Sequence, residues 1–427
     1  MNLRTFVIGD FGMQCLDDFR LSFKGRDFLP LMVGGMGTNI STANLVLAIE
    51  KLGGMAHLSD AMLPDVADRE IGTHFTKEKT IRFKSMIEEA DKTEEKFNLE
   101  ALSRVSKQYF SDVMEKATGK GLVLVNCMEK LTMNDPIATL KARLNAALDA
   151  GVDGITMSAG LHLSSLKLMQ DNPRFNDALF GLVVSSARAL NLFLKRTAFI
   201  GRKLDYVVVE GPLAGGHLGF GEDWRNFKLE DIVKDVVKLV KDTGLNVPVL
   251  GAGGIFSGKE AVDLMKKTGA SGIQAATRFT IAQESGLPDP VKQVYIDAKD
   301  EDVEVNHASP TGYLMRMLKN SPALTANNRP NCESYGYMLS HGSCPYLKEW
   351  LENSSEKTKC CLCTNMRNYK VWTCGTSVSR LKTTTVRGQD GSGFFRRPNK
   401  SSTTIDWPKQ IDNQERGAKV SSASFAR

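Results

Sequence analysis

The chain has 427 residues, 42% of them hydrophobic and 24% charged, ordinary values for a globular protein with room for one barrel of roughly 250–300 residues or two smaller domains. Its formal charge of +6 is concentrated at one end: residues 381–427 hold nine Lys or Arg against four acids, so the body is nearly neutral and offers no electrostatic case for binding nucleic acid. Met1 to Phe28 is interrupted by Asp10, Asp17 and Asp18, unlike a secretory leader, and no run approaches the roughly 18 apolar residues of a membrane helix, so a cytoplasmic protein with no membrane span is expected.

Eight short apolar runs read as strands: Leu29–Gly34, Gly54–Leu58, Leu122–Cys127, Gly154–Met157, Phe180–Ser185, Tyr206–Val209, Val247–Gly251 and Gly272–Ala275. Between them lie Thr42–Leu52, Ile137–Ala150, Ser164–Met169, Ala187–Lys195, Leu229–Asp242 and Gly258–Lys267, most with the apolar spacing of three and four that marks a helix. Strands alternating with helices imply parallel pairing, and eight repeats fit a closed (β/α)8 TIM barrel. A doubly wound open sheet is the structural alternative, but it needs a reversal of strand order that the sequence does not display. The gap from Ser59 to Gly121 carries charged helical stretches, Lys77–Asp91 and Leu99–Lys116, and reads as a solvated helical insertion after the second strand.

Beyond about Asn320 the alternation stops. Residues 1–320 are assigned to the barrel, 321–380 to a small appended segment, and 381–427, rich in Ser, Thr, Gly and Lys, to a basic tail that reads as disordered. Cys15 and Cys127 lie in the body, whereas Cys332, Cys344, Cys360, Cys361, Cys363 and Cys374 crowd the appended segment. Without a leader, such crowding suggests reduced thiols or a metal site more than disulfides. Cys361-Leu-Cys363 is not the Cys-x-x-Cys of zinc sites, and no metal is assigned; a metal-binding interaction module in this segment is the non-enzymatic alternative.

In such a barrel the chemistry sits on loops at the C-terminal ends of the strands. The sixth strand runs into Glu210-Gly-Pro-Leu-Ala-Gly-Gly-His-Leu-Gly219, where Gly215, Gly216 and Gly219 surround His217. Glycine allows close backbone approach to a ligand, and histidine exchanges a proton near neutral pH. The seventh strand ends in Gly251-Ala-Gly-Gly-Ile255, followed by Ser257-Gly-Lys-Glu260, a capping-box pattern. Amides of Gly253 and Gly254 beside that helix start suit an anion. The eighth ends in Gln274-Ala-Ala-Thr-Arg-Phe279, which adds further amides, the Thr277 hydroxyl and the Arg278 charge, making a phosphate site. The first ends in Val33-Gly-Gly-Met-Gly-Thr38, bare backbone suited to a flat ligand, and Asn126 closes the third as either a ligand contact or a loop cap. His57, His74, His162, His307 and His341 lack metal spacing; among them His162, after the fourth strand, best suits the mouth.

Ala214-Gly-Gly-His-Leu-Gly219, Gly251-Ala-Gly-Gly-Ile255, Gly272-Ile-Gln-Ala-Ala-Thr-Arg-Phe279, Pro30 to Gly37 and Ser309-Pro-Thr-Gly312 with Arg316 together resemble the nitronate monooxygenases, formerly 2-nitropropane dioxygenases, which are related to the flavin-type enoyl-acyl carrier protein reductases. The resemblance covers roughly residues 25–320 and implies an FMN-dependent barrel. It implies that Gly34, Gly35 and Met36 line the flavin ring, and that Asn126 and Glu210 contact FMN. Gly215, Gly254, Gln274, Ala275, Ala276 and Thr277 would hold the ribityl phosphate side, Gly216 and Gly253 are assigned to cofactor binding with them, and His217 would be the catalytic base. Glu210 stands where the family commonly has Gln, and Ala276 where Gly is usual. The implied reaction is oxidation of a nitronate or nitroalkane by O2 to a carbonyl compound and nitrite. The alternative is NAD(P)H-dependent reduction of an enoyl thioester in the same pocket, since fold does not fix function.

Overall fold

All eight apolar runs form strands. A computed structural model describes residues 16–129, 134–336, 342–354 and 357–384; the tail beyond them, Cys15 and His341 lie outside the described residues. A hairpin of β1 (Leu21–Phe23) and β2 (Arg26–Phe28) precedes β3 (Leu31–Val33), β4 (Met55–Ser59), β5 (Leu122–Met128), β6 (Gly154–Ser158), β7 (Leu179–Val184) and β8 (Tyr206–Glu210). The short β9 (Gly216–His217) then leads to β10 (Val249–Ala252) and β11 (Gly272–Ala275), and β12 (Val303–Asn306) and β13 (Met315–Leu318) follow. Strands β3 to β8, β10 and β11 close into one parallel barrel, with β11 returning to β3.

The helices form for local reasons the sequence displays. Thr42, Asn98, Ser186 and Ser257 each cap a helix by accepting a backbone N–H at its third position. In Leu229–Asp242 the buried residues are Leu229, Ile232, Val233, Val236, Val237 and Val240, a stripe at helical spacing that lies on the barrel.

Period-two alternation sorts each strand into an outer and an inner set. Leu31, Val33, Val123, Val125, Val207 and Val209 pack outward with the helices. Met32, Met55, Leu122, Leu124, Leu179, Tyr206, Val208 and Leu250 point inward, where the hairpin residues Leu21, Phe23 and Phe28 plug the lower end. One step higher the interior turns polar. His57 hydrogen-bonds Val33 O at 2.7 Å and Thr156 Oγ1 at 2.6 Å, and Thr156 meets the Tyr206 hydroxyl at 2.5 Å. As Nδ1–H donates to the carbonyl, Nε2 accepts from Thr156. The same alternation, carried one residue pair further, leaves Gly34, Asn126, Ser158, Glu210 and Gln274 at the mouth.

Two elements were not legible as strands: the β1–β2 hairpin and the antiparallel sheet β12-β13-β9. The insertion is also less solvated than its charge suggests. Its helix Phe75–Arg82 sends Lys79, 5% exposed, to Cys332 O at 2.7 Å, and Lys79 and Lys92 flank the buried Glu95 at 3.8 and 3.3 Å. Asp65 of the same insertion pairs with Arg367 at 3.0 Å. The insertion therefore grips the Cys-rich segment and holds it across the barrel mouth.

Tyr206 lies across the barrel over Gly181, where an added Cβ would stand 2.0 Å from the ring. Gly181→Ala is expected to lower stability by about 1–3 kcal/mol in urea unfolding, and Gly181→Ala with Tyr206→Leu to cost less than the two singles combined. Strict additivity would contradict this packing.

Candidate active site

The mouth opens into a cavity of about 690 Å³, a size suited to a cofactor or drug-sized ligand. Its wall combines strand ends, the His217 strand and the appended segment, which contributes Leu362, Met366, Tyr369, Val371, Thr373 and Cys374. No Lys or Arg is among the described residues lining it.

His217 sits on a strand rather than in a free glycine turn. It pairs with Met315 of β13, Gly216 pairs with Arg316, and Leu218 N–H donates to Leu314 O at 2.8 Å. Arg316 anchors the preceding loop from behind, donating to Pro212 O and to Ala214 O, the latter at 2.9 Å, with its guanidinium 4.6 Å from the Trp224 ring centre. The imidazole Nε2 lies 2.7 Å from Ser309 Oγ and 3.2 Å from Thr311 Oγ1, and these two hydroxyls are 2.6 Å apart. Tyr313 stands edge-on to the ring at 6.3 Å. Burial holds the His217 pKa down to about 4. The ring is therefore neutral near pH 7, and Nδ1 has no hydrogen-bond partner among the described residues.

At the floor, Gly34 and Gly35 pass beside Gln274 and Asn126; a Cβ on Gly35 would fall 2.4 Å from the Asn126 Cβ. Ser41 clips this turn, donating to Gly34 O at 3.2 Å and accepting the Met36 N–H at 2.9 Å. Asn126, Glu210 and Gln274 direct polar groups into the cavity without a protein partner among the described residues. Beyond Asn126, the buried Asp60–Arg143 ion pair fixes the end of β5, with Arg143 donating to Met128 O at 3.0 Å and Asp60 accepting the Met128 N–H at 3.1 Å.

The structure thus brings together Gly34, Gly35, Met36, Asn126, Glu210, Gly215, Gly216, His217, Gln274, Ala276 and Thr277 on one cavity. It does not bring Gly253, Gly254 or Ala275 to that wall. Ala275 packs outward in the core, and a Cβ on Gly254 would meet Leu213 at 3.1 Å. The helix start beside the glycines is already capped: the Glu260 carboxylate accepts from Phe256 N–H at 2.8 Å and Ser257 N–H at 3.0 Å, and Arg380 pairs with it at 2.5 Å. Thr277 Oγ1 accepts the Gly375 N–H at 2.9 Å, so the appended segment closes this end of the cavity. Arg278 turns away to Phe256 O at 2.8 Å.

His162, the other histidine expected near the mouth, is fully buried and spends both ring nitrogens on Ser165 Oγ and Ser158 O, each at 2.7 Å. Sequence reasoning missed the wall from Leu362 to Cys374; its apolar residues are too sparse to show periodicity. Among the described residues, no group of three or more His, Cys, Asp or Glu side chains is arranged to hold a metal, and the seven described cysteines form no disulfide.

Residues 26–381 match the family model for nitronate monooxygenase, so the match runs through the Cys-rich segment. A probable nitronate monooxygenase of Staphylococcus saprophyticus is 33% identical over 118 residues, 27% of this chain; the chain spans 32% of that relative's length. Among solved structures, nitroalkane oxidase from Streptomyces ansochromogenes superposes with a TM-score of 0.51 at 16% identity, over 82% of this chain and 90% of that one. The enoyl reductase domain of MlnA from Bacillus amyloliquefaciens gives 0.54 at 14% identity, over 86% and 90%. At these identities the structural likeness speaks for the fold. Among the described residues no helix is long and apolar enough to cross a membrane.

His57 is fully buried with its pKa held down from 6.5 to about 4 by burial. The stability it contributes is complete above pH 6.5 and is lost as pH falls through 4, because the unfolded chain takes up the proton first. In urea unfolding, wild type is expected to lose roughly 2 kcal/mol more than His57→Gln between pH 7 and 5. Equal losses would contradict a neutral, core-locked His57.

Proposed function

Because the chain belongs to the nitronate monooxygenase family, we propose that it is an FMN-dependent nitronate monooxygenase, oxidising nitronates or nitroalkanes with O2 to a carbonyl compound and nitrite. The observation that carries this reading is His217, neutral, clamped on its strand on the cavity wall, hydroxyl-bonded at Nε2 and without a partner at Nδ1 among the described residues.

The residues present fit a flavin. The glycine floor at Gly34 and Gly35 beside Met36 suits a flat ring, and three unpartnered polar groups (Asn126, Glu210 and Gln274) suit its polar edge. Gly215, Gly216, Ala276 and Thr277 would hold the ribityl phosphate side, with backbone amides as donors where no Lys or Arg lines the cavity among the described residues. Contact from Gly254 would require Leu213, 41% exposed, to swing aside; Gly253 and Ala275 support the cradle from behind. When bound, FMN supplies the electron transfer from substrate to oxygen.

The chain's own part is binding, orientation and proton handling. Nε2–H of His217 donates to Ser309 Oγ, which leaves the Nδ1 lone pair facing the cavity as acceptor for a carbon-bound proton. Ser309 and Thr311 hold the ring plane and accept the Nε2 proton in that tautomer. The apolar wall from Leu362 to Val371 excludes water from the proton transfer. The substrate is a small molecule, and we place the protein in the cytoplasm, where its buried free thiols stay reduced.

Purified protein is expected to show flavin absorption and to consume O2 with a nitroalkane or nitronate. His217→Ala should keep the flavin and lose roughly 10²–10⁴ in turnover of the nitroalkane. Bleaching by NADH with turnover of a crotonyl thioester, and none of a nitronate, would sink this activity in favour of the reductase.

A further inference from the structure

Glu210 is the least expected group in the cavity. It ends β8, its neighbour in register is Ala252, and it lines the cavity. Period-two alternation from Tyr206 and Val208 aims it inward above an apolar layer. Among the described residues it has no hydrogen-bond donor, and no Lys or Arg lines the space it faces. The titratable groups that share that space are Glu129 beyond β5, His217 on β9, Tyr313 before β13, and Tyr369 and Cys374 of the appended segment. None supplies a positive charge at neutral pH, since His217 is itself uncharged there. Arg316 donates from Nη1 to the carbonyls behind the loop and is not among the residues that line the cavity. Enclosing a carboxylate with no counter-charge is costly, and the cost is avoided by keeping the proton. Burial alone pushes the Glu210 pKa from 4.5 up to about 7.

We propose that Glu210 carries an exchangeable proton at the cavity floor and, as the neutral acid, donates a hydrogen bond to the polar edge of the bound flavin, so that this side chain couples the flavin's electron affinity to pH. The inference rests on the flavin reading above. With the proton on, the carboxyl satisfies an acceptor of the ring. With the proton lost to solvent, a negative charge remains in a cavity with no lining Lys or Arg among the described residues and opposes the addition of electrons to the ring. A carboxamide at this position would donate a hydrogen bond at every pH and would carry no such switch.

The test is the reduction potential of the FMN-loaded protein, followed by dye equilibration from pH 5.5 to 8.5, together with the absorption spectrum of the oxidised flavin across the same range. In wild type the potential should fall more steeply with pH above a break near 7, and the spectrum should titrate with the same midpoint. Glu210→Gln, which preserves shape, should abolish both the break and the spectral titration. Glu210→Asp should retain a titration at a displaced midpoint. Curves that superimpose in wild type and Glu210→Gln would overturn the proposal while leaving the flavin reading intact. So would a break that persists in Glu210→Gln and vanishes in His217→Ala, which would assign the titration to the imidazole. A purified chain that takes up no flavin would overturn the underlying reading and this proposal together.

Discussion

Closure of the barrel is the constraint on which everything else depends. Once eight short strands pair in a ring, every second residue has only the interior to occupy, and the order of residues along each strand becomes an order of depth. Met32, Leu124 and Val208 form the sealed lower layer, and Gly34, Asn126 and Glu210, two residues further along the same strands, become the floor of the cavity. The hairpin that plugs the base removes the need for polar residues there. The polar relay from Val33 through His57 and Thr156 to Tyr206 marks the change from packing to function.

The mouth needs a second layer of organisation, because strand ends alone leave it open. Antiparallel pairing of β9 with β13 turns the Gly-Gly-His stretch from a loop into a fixed edge, and Arg316 ties that edge down from behind. The Cys-rich segment closes the other side, held by Asp65, Lys79 and Tyr369 contacts to the insertion and the first loop. The insertion and the segment, unrelated by sequence position, thus act as one clamp over the cavity. Their buried thiols are raised well above the ordinary range by burial, as for Cys332 and Cys360, which keeps them packing residues rather than nucleophiles at neutral pH.

Much of this was legible in the sequence. Every barrel strand announced itself as a short apolar run, because both faces of such a strand are buried and hydrophobicity alone marks it. The capping box at Ser257 and Glu260 was readable for the same local reason, but its consequence was not: the Glu260 carboxylate takes the Phe256 and Ser257 N–H groups just before the helix and sets a negative charge beside the site that the glycines suggested for an anion. The β1–β2 hairpin was missed because three-residue strands carry too little pattern to separate from a turn. The sheet of β12, β13 and β9 was missed because β12 and β13 are only four residues long and the pairing of β13 with β9 joins Met315 to His217, distant in the sequence. His162 looked like a mouth residue by position and proved to be a core one, since only the fold shows that Ser158 and Ser165 satisfy both its nitrogens.

The central claim is that the inward-facing strand ends make a flavin floor with His217 set against it. It is tested most directly by a crystal structure of the chain grown with FMN. The ring is expected to lie across Gly34 and Gly35, with Asn126, Glu210 and Gln274 along its polar edge and His217 Nδ1 open to the space above it. A flavin bound elsewhere, or a cavity that stays closed by the Cys374–Gly375 segment while FMN remains in solution, would contradict it.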